Sequence, residues 1–277
     1  MVTPPHTQLR SGRRPCVIAD KAFQKEIRLA SAETVTIMPC SSATPRSLGV
    51  TKKSLLTHKE TCDSALVAFD NSSTNMGLRR ELKIFVEKLG YVYRYIRWPF
   101  SLTSLYNLGT AVTNSKFVVH STADVTFHEG WLDEIQRMWK LYGHSYESFH
   151  PYSKPTKGLN GENWREEKAP GEIIPVYDPL CHVNVFHRSK VYHWDEALPW
   201  WESDVDYWIW CHYHRKFPGL CLGSHVDTQV RGIMEEAHKD VERSHLNTMC
   251  AWSHIRLKWM GYHQYIGKDL DLIFGNT

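Results

Sequence analysis

Two aspartates stand where an open α/β sheet would put them to use. Asp70 follows the apolar run SALVAF and leads into Asn71-Ser72-Ser73; Asp124 follows KFVVHSTA. Ligands of open α/β sheets bind at the carboxyl ends of the strands. A carboxylate there can hydrogen-bond a nucleotide base or ribose, or hold a metal. Either residue alone also reads as a helix cap or turn former; two of them on consecutive sheet segments point to a site. The 11 tryptophans add a second signal, because an indole offers a flat face on which sugars and bases stack, as well as core volume. The cluster Cys211-His212-Tyr213-His214 has the residue types of a zinc site but not the spacing, since the three ligands cannot point one way on a helix.

These residues need strands that end beside them. Thr34–Met38 reads as a strand that stops at Pro39. Residues 40–49 are polar and form a loop, and a helix is predicted over 50–58. Residues 64–69 form a continuous apolar run, the pattern of a buried parallel strand. Leu78, Leu82, Phe85 and Leu89 recur at helical spacing, with Gly90 as the stop. A strand over 91–96, a helix over 103–113, a strand over 116–120 and an amphipathic helix through Trp131, Leu132, Ile135, Met138 and Trp139 complete the alternation. This order predicts an α/β fold with a largely parallel central sheet flanked by helices. Residues 143–175, rich in Tyr, Ser, Pro, Gly and Lys, are expected to form a long flexible loop. Strand-like 181–186, a Trp- and His-rich helix over 204–216, and a C-terminal helix over 236–260 with Leu246, Met249, Leu257 and Met260 on one side follow.

Bulk composition narrows the class. Hydrophobic residues make up 42% of 277, enough for a sizeable core, and the net charge of +3 is too small to argue for nucleic acid by itself. The seven cysteines are odd in number and scattered without a CxxC pair, which fits a reducing compartment. No apolar run reaches membrane-spanning length and no apolar signal core opens the chain. The expectation is a soluble cytoplasmic protein with residues 1–32 as an N-terminal extension, a solvated basic arm.

The segments TVTIMP (34–39), LVAFDNSS (66–73), NLGTA (107–111), FVVHSTADVTF (117–127) and EGWLDE (129–134), in that order, resemble the donor-binding half of family 2 glycosyltransferases. The run VNVFHRSKVYHWDEALPWWESDVDYWIWCHYHRKFPG (183–219) is similar to the acceptor half of that family. The resemblance covers 34–142 and 176–228, and IRLKWMG (255–261) is weakly similar to a Lys-Trp-Gly region near the end of such enzymes. It implies a GT-A, Rossmann-like fold in one catalytic domain, 33–245, with a C-terminal helical segment, 246–277, packed on it. It implies transfer of a sugar from a nucleotide-sugar to a hydroxyl with inversion. Asp124 matches the metal-contacting acid of the family's motif, here Thr122-Ala123-Asp124, whose first acid is missing. His225 matches a histidine that completes the metal site in some members, and imidazole favours manganese over magnesium. Asp204 matches the general base, with Asp206 as its neighbour and rival. Pro39, Ser41, Arg46, Asp70, Asn107 and Ala123 complete the implied donor site. Trp200, Trp201 and Glu202 are placed at the acceptor.

Two other readings stand beside this one. Aromatics and the basic arm suit a transferase acting on a modified DNA base. Loss of the first metal-site acid suits a carbohydrate-binding protein without activity. A sugar nucleotidyltransferase is disfavoured, because MPCSSATPRSLG lacks the Gly-rich loop that would wrap a triphosphate.

Overall fold

The computed structural model describes residues 33–70, 75–96, 101–154, 171–175, 182–198, 202–228, 251 and 253–259. The chain runs β1 (Thr34–Cys40), α1 (Pro45–Thr61), β2 (Ala65–Asp70), α2 (Met76–Lys88), β3 (Val92–Tyr95), α3 (Leu102–Val112), β4 (Phe117–Ser121), β5 (Val125–Phe127), α4 (Trp131–Tyr142), β6 (Tyr146–Lys154), β7 (Ile173–Pro175), β8 (Val183–His187), α5 (Glu202–Tyr213) and β9 (Phe217–Thr228).

The strands form one sheet in the order β3-β2-β1-β4-β8-β6-β9-β5, with β7 on β9. The strands from β3 to β4 are all parallel, as the alternating sequence requires. Beyond them β8 pairs antiparallel with β4, and β6 and β9 run parallel to each other. Strand β1 lies between β2 and β4, so the winding reverses there. The crevice outside the ends of β1 and β4 is therefore the expected ligand position.

Both faces of the sheet are covered, which explains the unbroken apolar runs. Val35, Ile37, Val67, Phe69, Val118 and Phe186 pack with Leu105 and Tyr106 of α3 and Tyr207 of α5. Met38, Leu66, Val119, Phe149 and Val185 pack on the other face with Leu55 of α1, Leu82 and Val86 of α2, and Trp131 and Met138 of α4. Helix α1 starts earlier than the sequence pattern alone indicates. Pro45 pre-sets its first turn, and Thr44 and Ser47 exchange hydrogen bonds in a capping box. Gly90, at φ 78°, ends the turn after α2 in the left-handed region.

Two expectations change here. The segment 143–175 is not a loop throughout, because β6 occupies Tyr146–Lys154 inside the sheet. Its Pro151 stands at a register shift, the place where a strand tolerates a missing N–H. Of the C-terminal face expected at Leu246, Met249, Leu257 and Met260, only Leu257 lies within the described residues. Ala251 and Ile255 are buried on Leu198, Trp208 and Ile209, with Trp259 against them, whereas Leu257 is 72% exposed. Residues 1–32 lie outside the described residues. Among the described residues, no helix is long and apolar enough to cross a membrane.

Candidate active site

Asp70, Pro39 and Ser41 stand at the carboxyl ends of β2 and β1. Asp70 closes β2 in register with Cys40 of β1 and Tyr95 of β3. It is fully buried, and its Oδ2 accepts from the Ser42 hydroxyl at 2.6 Å and the Tyr93 hydroxyl at 3.0 Å. Burial and the adjacent Asp70 charge both push the Tyr93 phenol well above its ordinary value, so it stays a donor. Asp70 thus sits beneath the edge and holds Ser42 and Tyr93, which is a change from direct contact with base and ribose. Pro39 is buried opposite Phe69, so it shapes the edge without lining it. Ser41 caps the strand end through Thr51, whose hydroxyl donates to the Ser41 carbonyl at 3.1 Å. Arg46 is exposed in the first turn of α1, whose positive end faces the same edge.

Asp124 occupies the turn between β4 and β5. The turn is tied to β8 by the Thr122 amide, which donates to the His182 carbonyl at 3.0 Å. The Thr122 hydroxyl donates to Asp124 Oδ1, so the residue in place of the absent first acid orients the remaining one. Ala123 packs against the core beneath them.

Helix α5 carries Asp204 and Asp206. The His212 ring in its last turn meets Phe217, the first residue of β9, with centroids 5.3 Å apart. The far end of β9 pairs with Val125, next to Asp124. Asp204 stands, partly exposed, in the first turn of α5. Asp206 is two residues on, about 200° around the helix. It is fully buried, and three donors claim it. Tyr192 Oη and Lys258 Nζ donate to Oδ2 at 2.8 and 2.7 Å, and Trp259 Nε1 donates to Oδ1 at 2.8 Å. Asp206 is thus a structural hub and not a base, correcting its expected catalytic role. Lys258 also donates to Asp195 Oδ2 at 3.0 Å, beside His254 at 2.9 Å. Burial alone would raise the Asp195 carboxyl, yet the His254 and Lys258 contacts hold it below its usual value. Burial would likewise lower the Lys258 ammonium, and Asp206 together with Asp195 outweighs that and raises it.

Asn107 also changes role. Its Nδ2 donates to the Trp194 carbonyl at 2.8 Å and to Glu196 at 3.1 Å, and its Oδ1 accepts the Trp194 amide at 3.0 Å. The amide is consumed in holding the 192–198 segment on α3, which removes it from the donor. Trp200 and Trp201 lie outside the described residues, as does the side chain of Glu202.

The fold is shared with solved glycosyltransferases. S. aureus TarS matches with a TM-score of 0.53 at 14% identity, over 76% of this chain and 38% of that one. GalNAc-T7, solved with UDP, GalNAc and Mn2+, gives 0.54 at 13% identity, over 72% of this chain and 43% of that one. TarS 1–349 in complex with UDP-GlcNAc gives 0.54 at 12% identity, over 73% and 59% of the two chains. The chain has a GT-A fold. It spans less than half the length of the first two of these proteins. No protein-family model matches the sequence, and neither does any curated protein sequence.

Within this GT-A frame the metal ligands can be tested. Among the described residues, no group of three His, Cys, Asp or Glu side chains could hold an ion. His225 does not join Asp124. Thr228 lies across from Val125, and the His128 amide donates to the His225 carbonyl. His225 is therefore four positions along the β5–β9 ribbon from Asp124, about 13 Å at strand rise. Side chains standing perpendicular to the ribbon cannot meet on one ion across that span. His225 packs edge-on against Tyr152 instead, with centroids 5.8 Å apart. Asp124 alone, with diphosphate oxygens, still fits a hard divalent cation.

Proposed function

We propose that the chain is a glycosyltransferase that moves a sugar from a nucleotide-sugar to a hydroxyl acceptor with inversion. The reading is supported by the GT-A fold together with Asp124 on the β4–β5 turn and a partly exposed Asp204 on the first turn of α5. The nucleotide lies over the ends of β1 and β2, around Ser41, Ser42 and Tyr93, with Arg46 towards the diphosphate. Asp124, oriented by Thr122, holds the divalent cation together with the donor. When bound, that cation neutralises charge on the leaving diphosphate. Manganese is the ion expected there, as in the GalNAc-T7 structure.

The chemistry is a single in-line displacement. The acceptor oxygen forms a bond to the anomeric carbon as the bond from that carbon to the diphosphate breaks. The hydroxyl proton passes to the Asp204 carboxylate, and the nucleoside diphosphate leaves with the bonding pair. A carboxylate in this place contributes on the order of 10²–10⁴ in rate as general base. Trp200, Trp201 and Glu202 precede it in the chain and are assigned to the acceptor.

UDP-, GDP- and TDP-sugars should be screened by thermal shift with and without manganese. The true donor raises the melting temperature, because it binds only the folded state. Asp204→Asn should keep that rise and lose nucleoside diphosphate release by about 10²-fold or more. A donor panel that neither shifts melting nor releases diphosphate would sink the reading.

A further inference from the structure

The GT-A resemblance accounts for the edge, but not for what lies behind α5. Residues 251 and 253–259 form a second layer there. Ala251 and Ile255 are buried against Leu198, Trp208 and Ile209, so α5 is packed between this segment and the sheet, which it meets through Tyr207 and Cys211. The polar contacts are concentrated on Lys258. Its ammonium bridges Asp206 inside α5 and Asp195 in the segment that leads into α5, at 2.7 and 3.0 Å. The neighbouring Trp259 donates to the other oxygen of Asp206 at 2.8 Å. One cation thus fixes both the approach to α5 and its first turn, on the side of the helix away from Asp204.

We propose that residues 254–259 are a strut that positions the acceptor base, with Lys258 as its principal positioning residue. The inference rests on Asp204 being the base. Asp204 is in the first turn of α5, where backbone amides lack intrahelical partners and fraying is easiest. Asp206, the next residue but one, is the point at which that turn is anchored. Loosening the anchor shifts Asp204 relative to the anomeric carbon and leaves the donor edge on β1, β2 and β4 untouched. A misplacement of about 1 Å costs on the order of 10²-fold in rate.

The test compares full-length Lys258→Met, Lys258→Arg and Trp259→Phe with the parent, using UDP-GlcNAc as probe. Hydrogen exchange reports on α5, the UDP-GlcNAc-induced rise in melting temperature reports on the donor edge, and UDP release reports on transfer to water. Lys258→Met should speed exchange in 202–213 and leave β1–β4 protected. It should keep the donor-induced rise and lower UDP release by about tenfold or more. Lys258→Arg should restore most of the release. Trp259→Phe, which keeps the ring and removes one hydrogen bond, should show the same pattern at smaller size. Unchanged exchange in α5 for both Lys258→Met and Trp259→Phe overturns the strut. So does loss of the donor-induced rise in step with release, since that marks a general structural role. Asp204→Asn separates the two ideas. If it releases UDP like the parent, the base assignment falls, while the exchange result still decides whether the segment anchors α5.

Discussion

Asp204 and Asp206 are the same residue type two positions apart, and half a turn of helix gives them different work. Asp204 is partly exposed; Asp206 is buried under Tyr192, Lys258 and Trp259. A second buried polar group carries a different lesson. Asn184 of β8 is fully buried, and both atoms of its amide lack a hydrogen-bond partner among the described residues. An unmet buried donor or acceptor costs about 1–3 kcal/mol. Asn184→Leu, of similar volume, should therefore raise the unfolding free energy in urea by about 1 kcal/mol. A loss of that size instead would show that the amide is satisfied in solution. At this scale the sequence placed Asp70 at the end of β2 and Asp124 on the β4–β5 turn, as their strand-end context indicates. It could not show who claims each side chain. Tyr93 on Asp70 and Trp194 on Asn107 come from elements remote in sequence, and no local pattern records such pairs. The Lys258-Trp259 pair carried only a faint signal, and Thr122 was visible only as a missing acid.

At the scale of elements, β1–β4 and the helices between them were legible because both faces of the sheet are covered, which leaves unbroken apolar runs. Strand β6 was not. Its inward Ser148 and His150 are polar, and they are satisfied by each other and by Tyr207 at 3.0 and 2.9 Å. A strand with a polar inner face and a proline reads as loop. Helix α3 illustrates a tighter constraint. A Cβ on Gly109 would stand 2.5 Å from Ile37 Cγ2, so α3 lies directly on β1. Gly109→Ala should destabilise by about 1–3 kcal/mol through overpacking, despite the roughly 1 kcal/mol gain in helix propensity. A chemical denaturation curve shifted to higher midpoint would contradict the close approach.

For the molecule as a whole, two buried imidazoles among the described residues tie stability to pH. His58 is bonded to Thr36 and Tyr91, both at 2.8 Å. His120 Nδ1 accepts the Trp194 indole N–H, so its Nε2 donates to Thr110. Burial, with Lys59 near one and Arg188 near the other, lowers each from 6.5 to about 3. The unfolded chain takes up these protons near 6.5 and the folded one does not, so their contribution is complete above 6.5 and falls as pH drops towards about 3. Between pH 5 and 6 the two should give a slope of about 2.4 kcal/mol per pH unit, at 1.36 per proton and with the unfolded imidazoles about nine-tenths protonated. His58→Gln should halve it; an unchanged slope in urea titrations would show that His58 is not held neutral. The sheet order has a consequence for synthesis on the ribosome. The outer edge of β4 is closed only by β8, whose Val183 is paired with Ser121. At about 5–20 residues per second, the nascent donor half waits several seconds with the outer edge of FVVHS unpaired. An apolar edge open for that long is an invitation to another chain. The interval between making the donor half and closing it is thus the moment when this protein most needs a chaperone.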